Sequence, residues 1–176
     1  MAVQPWREVS REEIFRKYGR GIDRVVFAMP DGKEREYYLK TEGNSVCVLA
    51  LTPQREVVLA RQFRPGPQEI VMELPGGALD DGEEPVQAAA RELLEETGYA
   101  GDIAYVGSVL VDGYSPRSRH ICVATDCRNV AAQNLDDGEF VDVLTMSLAD
   151  FRQHLQSGRL TDTDGGYRAL DFLGLL

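Results

Sequence analysis

The chain has 176 residues, 43% of them hydrophobic and 27% charged, with a formal net charge of −10 and a pI near 4.7. This length and balance predict one folded domain and argue against a disordered chain or a membrane protein, since no apolar run approaches the length of a membrane span. The acidity argues against nucleic-acid binding, which needs clustered Lys and Arg, although metal ions and local arginines can still bring in a small anionic substrate.

The N-terminus and the cysteines bear on the cellular compartment. The first residues lack the basic start and apolar stretch of a secretory signal, so we expect a cytoplasmic protein. Cys47, Cys122 and Cys127 are odd in number, lie in or beside apolar runs and lack the paired spacing of metal ligands. We interpret them as buried free thiols rather than as disulfides or zinc ligands.

The first forty residues predict a helix followed by a hairpin. Ser10 with Glu13 is a capping-box pattern and predicts a short helix over residues 11–18. Two strands, over residues 24–29 and 34–40, are joined by the turn sequence Pro-Asp-Gly-Lys.

Most of the remaining elements are apolar strands. Residues 44–51 and 56–63 are rich in Val and Leu and nearly continuous in apolar character, as buried central strands are. Ser147 suits the N-cap of a helix. Further strands are predicted over residues 104–111, 120–125 and 140–146, and helices that cover the sheet over residues 148–156 and 165–175.

The stretch over residues 74–99 is the one around which the chain is organised. Pro85 suits the first position of a helix, Glu83 and Glu84 complement the positive end of its dipole, and Gly98 suits its C-cap. The sequence therefore predicts a helix that begins at Pro85 and ends before Gly98.

Three carboxylates share one face of this predicted helix. At about 100° per residue, Glu96 lies about 40° and Glu95 about 60° from Glu92, on opposite sides. Such acids suit a hard cation such as Mg²⁺, and the alternative is a solvated acidic face. We expect the acids to point away from the core, because a separate stripe is apolar and comprises Val86, Ala90, Leu93, Leu94 and Thr97.

The spacing of these residues resembles the Nudix box of the Nudix hydrolases. The match comprises Gly77, Glu83 after five intervening residues, and the run at 91–99 after seven more. It includes all seven fixed polar or glycine positions, and the one departure is Tyr99, where an aliphatic residue is usual. The resemblance implies an α/β (α+β) fold, an α/β/α sandwich with a mixed sheet preceded by an N-terminal β-hairpin or sheet. It also implies hydrolysis of a nucleoside diphosphate linked to another moiety.

The resemblance assigns roles around a metal ion. Glu92 and Glu96 are implied to be the principal ligands of Mg²⁺, or of Mn²⁺ in its place, with Glu95 as a further ligand or water contact. The backbone carbonyl of Gly76 resembles another ligand in related pyrophosphatases.

Other positions are assigned around these ligands. Glu83 and Arg91 resemble the pair that orients the metal-binding glutamates. A carboxylate from the box, or Glu139 in the acidic loop with Asp136 and Asp137 behind it, is expected to take the proton of the attacking water. The alternative for the loop is simple solvation.

Arginines and a proline outside the box resemble substrate-binding positions of ADP-ribose pyrophosphatases. Arg64 is the candidate contact for a substrate phosphate and Arg61 is a second candidate, and the alternative for both is a solvated strand end. Pro116 lies near the position of a marker proline, although it also suits a plain turn. Arg117 and Arg119 are placed to neutralise a phosphate or ribose.

The whole chain, residues 1–176, is interpreted as a single Nudix domain. Residues 1–43 resemble an extension that helps to build a homodimer, and residues 44–176 form the core. The resemblance suggests that Phe27, Tyr37 or Tyr38 clamps the base, and the alternative is that these aromatic side chains only pack in the hairpin.

The expected activity is Mg²⁺-dependent hydrolysis of ADP-ribose or a related nucleotide sugar to a nucleoside monophosphate and a sugar phosphate. One alternative is a pyrophosphohydrolase that removes oxidised nucleoside triphosphates, although such enzymes are commonly shorter. Another is a nucleotide-binding Nudix module without catalysis. An RNA-decapping enzyme conflicts with the charge of −10.

Overall fold

A computed structural model describes residues 3–176 of the chain, which divides into two compact units. The first unit contains the residues up to Gly43 together with Leu110–Ser118, and the second contains Asn44–Val109 and Arg119–Leu176. Within residues 3–176, no helix has the length and apolar character that crossing a membrane requires.

The first unit is built on a three-stranded antiparallel sheet in the order β1-β2-β3. Its strands are β1 (Arg7–Lys17), β2 (Arg20–Ala28) and β3 (Glu34–Lys40). The predicted hairpin is confirmed, and its turn is closed by the Met29 N–H, which donates to the carbonyl of Lys33 at 2.8 Å.

The predicted helix over residues 11–18 is wrong, because this segment is strand β1. β1 pairs with β2 along its length, and cross-strand ion pairs join Arg11 to Asp23 at 2.8 Å and Arg24 to Glu12 at 2.5 Å. A local capping pattern is weak compared with a continuous ladder of backbone hydrogen bonds to a neighbouring strand.

The second unit contains a mixed sheet in the order β6-β5-β4-β8-β7, with β9 paired to β5. β4 and β8 are parallel, whereas β5 pairs antiparallel with β4, β6 and β9. The predicted strands and the two C-terminal helices are confirmed within a few residues of their bounds. The elements are β4 (Ser45–Leu51), β5 (Glu56–Arg64), β6 (Glu69–Glu73), α1 (Pro85–Thr97), β7 (Tyr99–Leu110), β8 (Ser118–Asn129), β9 (Asp142–Ser147), α2 (Leu148–Gln156) and α3 (Thr163–Phe172).

Alternate side chains of the central strands pack against helices on opposite faces of the sheet. On one face, Leu49 belongs to a core cluster with Phe151 of α2 and Leu170 of α3. On the other face, Val48 belongs to a cluster with Leu93 of α1. This alternation is the predicted α/β/α sandwich, and the three cysteines are buried and free, as expected.

Phe151 is the largest fully buried side chain, and its replacement by Ala should lower the free energy of unfolding by about 3–5 kcal/mol. The loss combines the transfer free energy of the ring with the cavity it leaves between α2 and the sheet. Phe172 is 52% exposed, so Phe172→Ala is the matched control and should change stability by less than about 1 kcal/mol. Urea unfolding of both variants measures the difference, and equal losses would contradict this assignment of the core.

Candidate active site

Helix α1 begins and ends where the sequence predicts. Pro85 is its first residue, Glu84 and Gln87 form a capping box, and Gly98 adopts φ 72° while its N–H donates to the carbonyl of Leu94 at 2.8 Å. A left-handed C-cap of this kind favours glycine, which has no Cβ to clash.

The predicted buried stripe of α1 is wrong in part, because Val86, Ala90 and Leu94 are exposed. Small side chains let the helix approach the sheet on a different face, which includes the carboxylate of Glu96. The acids therefore do not all point away from the core. The buried residues are Ala88, Ala89, Leu93, Glu96 and Thr97.

An acidic cavity lies beside this face within the second unit. Glu92, Glu95 and Glu96 line it together with the arginines Arg64 and Arg91. Its other lining residues are Gln62, Gly76, Gly77, Ala78, Asp80, Asn134, Asp136 and Glu139. Sequence positions more than sixty residues apart are thus brought to one place.

Glu96 is the most buried acid of the cavity, at 6% exposure. Its Oε2 accepts a hydrogen bond from the N–H of Gly76 at 2.9 Å. Burial raises the pKa of Glu96 to about 8, against the opposing effects of the Gly76 hydrogen bond and of the Arg64 charge. Burial likewise raises the pKa of Glu92.

Gly76, just before the box, and Gly77, its first residue, allow this close approach. The carbonyls of Pro75 and Gly77 accept from the N–H groups of Val48 and Val46 at 2.9 Å, which holds the turn against β4. A Cβ on Gly76 would lie 2.9 Å from the Cα of Cys47. A Cβ on Gly77 would instead lie 2.6 Å from the Cδ of Glu92.

Arg91 joins the box acids to one another. Its Nε and Nη2 donate to the two carboxylate oxygens of Glu83 at 3.0 and 2.8 Å. Its Nη1 donates to Glu92 at 2.9 Å and to Glu95 at 3.2 Å. This bidentate geometry supports the prediction that Glu83 and Arg91 orient the metal-binding glutamates.

Arg91→Lys should lower kcat by about ten- to a hundredfold without unfolding the protein. Lysine keeps the charge but loses the planar fork that grips Glu83 and directs Glu92. Steady-state kinetics and a thermal melt measure the two effects, and Arg128→Lys, at an exposed position on β8, is the control. An unchanged kcat in Arg91→Lys would contradict the positioning role.

The remaining predicted positions are distributed over both units. Arg64 and Glu139 line the acidic cavity, whereas Arg61 forms an ion pair with Asp142 at 2.6 Å and does not line it. Pro116 and Arg117 belong to the first unit, where Arg117 donates to Glu42 at 2.9 Å. Arg119 lies in the second unit and forms ion pairs with Asp162 at 3.1 Å and Asp164 at 2.8 Å.

The donor set of the cavity fits a hard divalent cation. Its acids offer only oxygen ligands, and the six acids that line the cavity outnumber its two arginines. The carboxylates of the cavity do not converge on one point, since residues 3–176 contain no group of three or more His, Cys, Asp or Glu arranged to hold a metal.

The NUDIX domain model matches residues 41–163 of the chain. The chain belongs to the Nudix family of hydrolases. This Nudix protein is 30% identical over 174 residues to the ADP-ribose pyrophosphatase of Bacillus subtilis, covering 96% of this chain and 92% of that protein. It is 33% identical over 169 residues to the ADP-sugar pyrophosphatase of Mus musculus, covering 85% and 77%.

A solved structure described as an ADP compounds hydrolase has the same fold. It superposes on this Nudix protein with a TM-score of 0.83 at 20% identity, and the match covers all of both chains. The predicted fold class is thereby confirmed.

Sequence reasoning missed two residues around this site. Glu73, at the end of β6, is 1% exposed and bonded to Arg64, and the available signal was a lone acid at the end of an apolar strand. Gln133 donates to the carbonyls of Glu96 and Val141 at 2.6 and 2.9 Å, which ties the acidic loop to the end of α1. Nothing in the local sequence indicated this second contact.

Proposed function

We propose that this Nudix protein hydrolyses the pyrophosphate bond of a nucleoside diphosphate sugar, with ADP-ribose as the preferred substrate. The products are a nucleoside monophosphate and a sugar phosphate. The single observation that carries the proposal is the cavity that Glu92, Glu95, Glu96 and Arg64 line together. The names of the relatives from Bacillus subtilis and Mus musculus support the choice of substrate.

In the proposed reaction, Glu92, Glu96 and the Gly76 carbonyl would hold Mg²⁺, and Mn²⁺ could take its place. The bound ion supplies charge neutralisation at the phosphate oxygens and lowers the pKa of coordinated water. Arg91 holds Glu92 in place through the contact at 2.9 Å.

Glu139 is the proposed acceptor of the proton from the attacking water. Its backbone N–H donates to the Asp136 carbonyl at 3.1 Å, and its Oε2 accepts from the Asp136 N–H at 3.2 Å. These contacts keep the loop folded while the side chain lines the cavity. Arg64 contributes a guanidinium that matches a substrate phosphate.

The proposed domain organisation and quaternary structure rest on the first unit. Residues 1–43 are the proposed dimerisation element, ahead of a core at 44–176. In its support, every residue of β1 is exposed, and β1 is an edge strand of the sheet. The chain mass is 19.6 kDa, so light scattering on the purified protein should give twice that value.

The base-binding role of the N-terminal aromatics remains a prediction. Phe27 and Tyr37 pack with Trp6 at ring-centroid distances of 6.0 and 5.3 Å, which favours a packing role for these two. Tyr38 is 53% exposed and so is the better candidate for a stacking contact. We further propose a cytoplasmic protein that does not bind nucleic acid, in keeping with its free thiols and its acidity.

A substrate panel tests the function directly. ADP-ribose, other nucleotide sugars, dinucleotides and triphosphates are incubated with the protein and Mg²⁺, and the products are separated by chromatography. ADP-ribose should give AMP and ribose phosphate, and chelation of the metal should abolish turnover. Preferred hydrolysis of triphosphates would instead support the alternative that oxidised nucleotides are removed, and binding without products would support a non-catalytic module.

A further inference from the structure

A buried carboxylate lies directly behind the acidic cavity. Glu73 is the last residue of β6 and is 1% exposed. Its Oε2 accepts from the Nε of Arg64 at 2.6 Å, and its Oε1 accepts from the hydroxyl of Thr161. Both oxygens are therefore occupied by donors from different parts of the second unit.

This arrangement constrains Arg64 more than a surface ion pair would. A buried carboxylate is costly unless it is paired, so the protein loses stability whenever Arg64 leaves Glu73. The guanidinium is planar with its donors in a rigid fork, and holding Nε therefore restricts where the other nitrogens of the group can lie. Arg64 also lines the acidic cavity.

The contact also counters an attraction that would spoil the site. Glu92, Glu95 and Glu96 line the same cavity as Arg64, and an unrestrained arginine would be drawn to them. Glu73 holds the guanidinium through Nε on the side of β6. Held there, the guanidinium is less free to pair with those acids.

We propose that Glu73, supported by the Thr161 hydroxyl, is a positioning residue that orients Arg64 toward the diphosphate of the substrate. The inference rests on the proposed function, since it assigns Arg64 to a substrate phosphate. It adds a second layer behind that contact, formed by one residue of β6 and one from the segment between α2 and α3.

A double-mutant cycle tests the coupling. Glu73→Gln should raise the KM for ADP-ribose about tenfold while kcat changes less than about threefold, and Arg64→Ala should raise KM at least as much. In the Arg64→Ala background, Glu73→Gln should add less than about twofold. An equal effect of Glu73→Gln in both backgrounds would overturn the proposal, because the residue would then act on the fold alone.

Three further variants guard against misfolding. Thr161→Val removes only the supporting hydroxyl and should raise KM by a smaller factor than Glu73→Gln does. Thr161→Ser keeps a hydroxyl and should leave KM at the value of the parent protein. Glu69→Gln is the matched control, since Glu69 begins the same strand and pairs with Arg159 at the surface. If Glu73→Gln does not fold, an unchanged KM in Thr161→Val overturns the proposal.

A spectroscopic measurement separates this inference from the proposed function. The Nε–H of Arg64, identified by its absence in Arg64→Lys, should be protected from exchange in arginine-detected NMR spectra of the metal-free protein. Glu73→Gln should shift this signal and remove its protection, and an unchanged signal would overturn the positioning role. Absence of turnover in the substrate panel would refute the function while leaving this result intact.

Discussion

Replacing Glu96 with Gln should lower kcat by about a thousandfold or more, with no loss of stability. The amide keeps the shape of the side chain, and its oxygen can still accept from the Gly76 N–H that now lies at 2.9 Å. The amide cannot supply the negative charge that the proposed Mg²⁺ site requires. A thousandfold fall in kcat corresponds to a loss of about 4 kcal/mol of transition-state stabilisation. Steady-state kinetics with ADP-ribose measures the effect.

The stability of the same variant distinguishes a functional role from a structural one. Glu96 is almost fully buried and burial raises its pKa to about 8, so its ionised form is costly in the folded protein without metal. Glu96→Gln should therefore melt at the same temperature as the parent or higher. Glu34→Gln, at an exposed position of β3, is the control for both measurements. Normal turnover in Glu96→Gln would remove Glu96 from the metal site.

Gly77→Ala should reduce kcat about a hundredfold by moving one carboxylate. The added methyl group would lie 2.6 Å from the Cδ and 2.8 Å from the Oε2 of Glu92, so the end of that flexible side chain must shift. A displacement of about 1 Å at a catalytic group is sufficient for a loss of this size. The fold should survive, because the obstacle is a side chain rather than backbone.

Two other glycines provide the comparison for this experiment. Gly76→Ala places its methyl group 2.9 Å from the Cα of Cys47 in β4, and should destabilise the protein by about 1–3 kcal/mol or more. Gly66→Ala meets nothing within 4 Å and should leave both activity and melting temperature unchanged. A Gly77→Ala variant with full activity would show that Glu92 tolerates displacement and would contradict its role as a ligand.

The sequence was most informative where structure is determined locally. The bounds of α1 follow from Pro85 and Gly98, whose backbone preferences do not depend on the rest of the fold. Strand β4 and the first half of β5 follow from apolar runs, which are buried. The spacing of the box then brought Glu92, Glu95 and Glu96 to one cavity.

The failures occurred where distant residues decide. Residues 11–18 carry a local helix signal, and only pairing with β2 makes them a strand. The helical wheel placed Leu94 inside and Glu96 outside, because it could not show that Ala88 and Ala89 approach the sheet. The contact between Arg64 and Glu73 joins two strands across a loop, and its only signal in the sequence is the acid that ends β6.

The burial of all three thiols has a consequence for how this protein responds to oxidants. Burial raises the pKa of Cys122 and of Cys127 to about 11, and it raises the pKa of Cys47 as well. At neutral pH, on the order of one in ten thousand of the Cys122 or Cys127 thiols is therefore ionised. Peroxides and alkylating agents attack the thiolate, and folded protein should therefore resist them. Oxidation of its cysteines is therefore an unsuitable switch for this hydrolase while it stays folded.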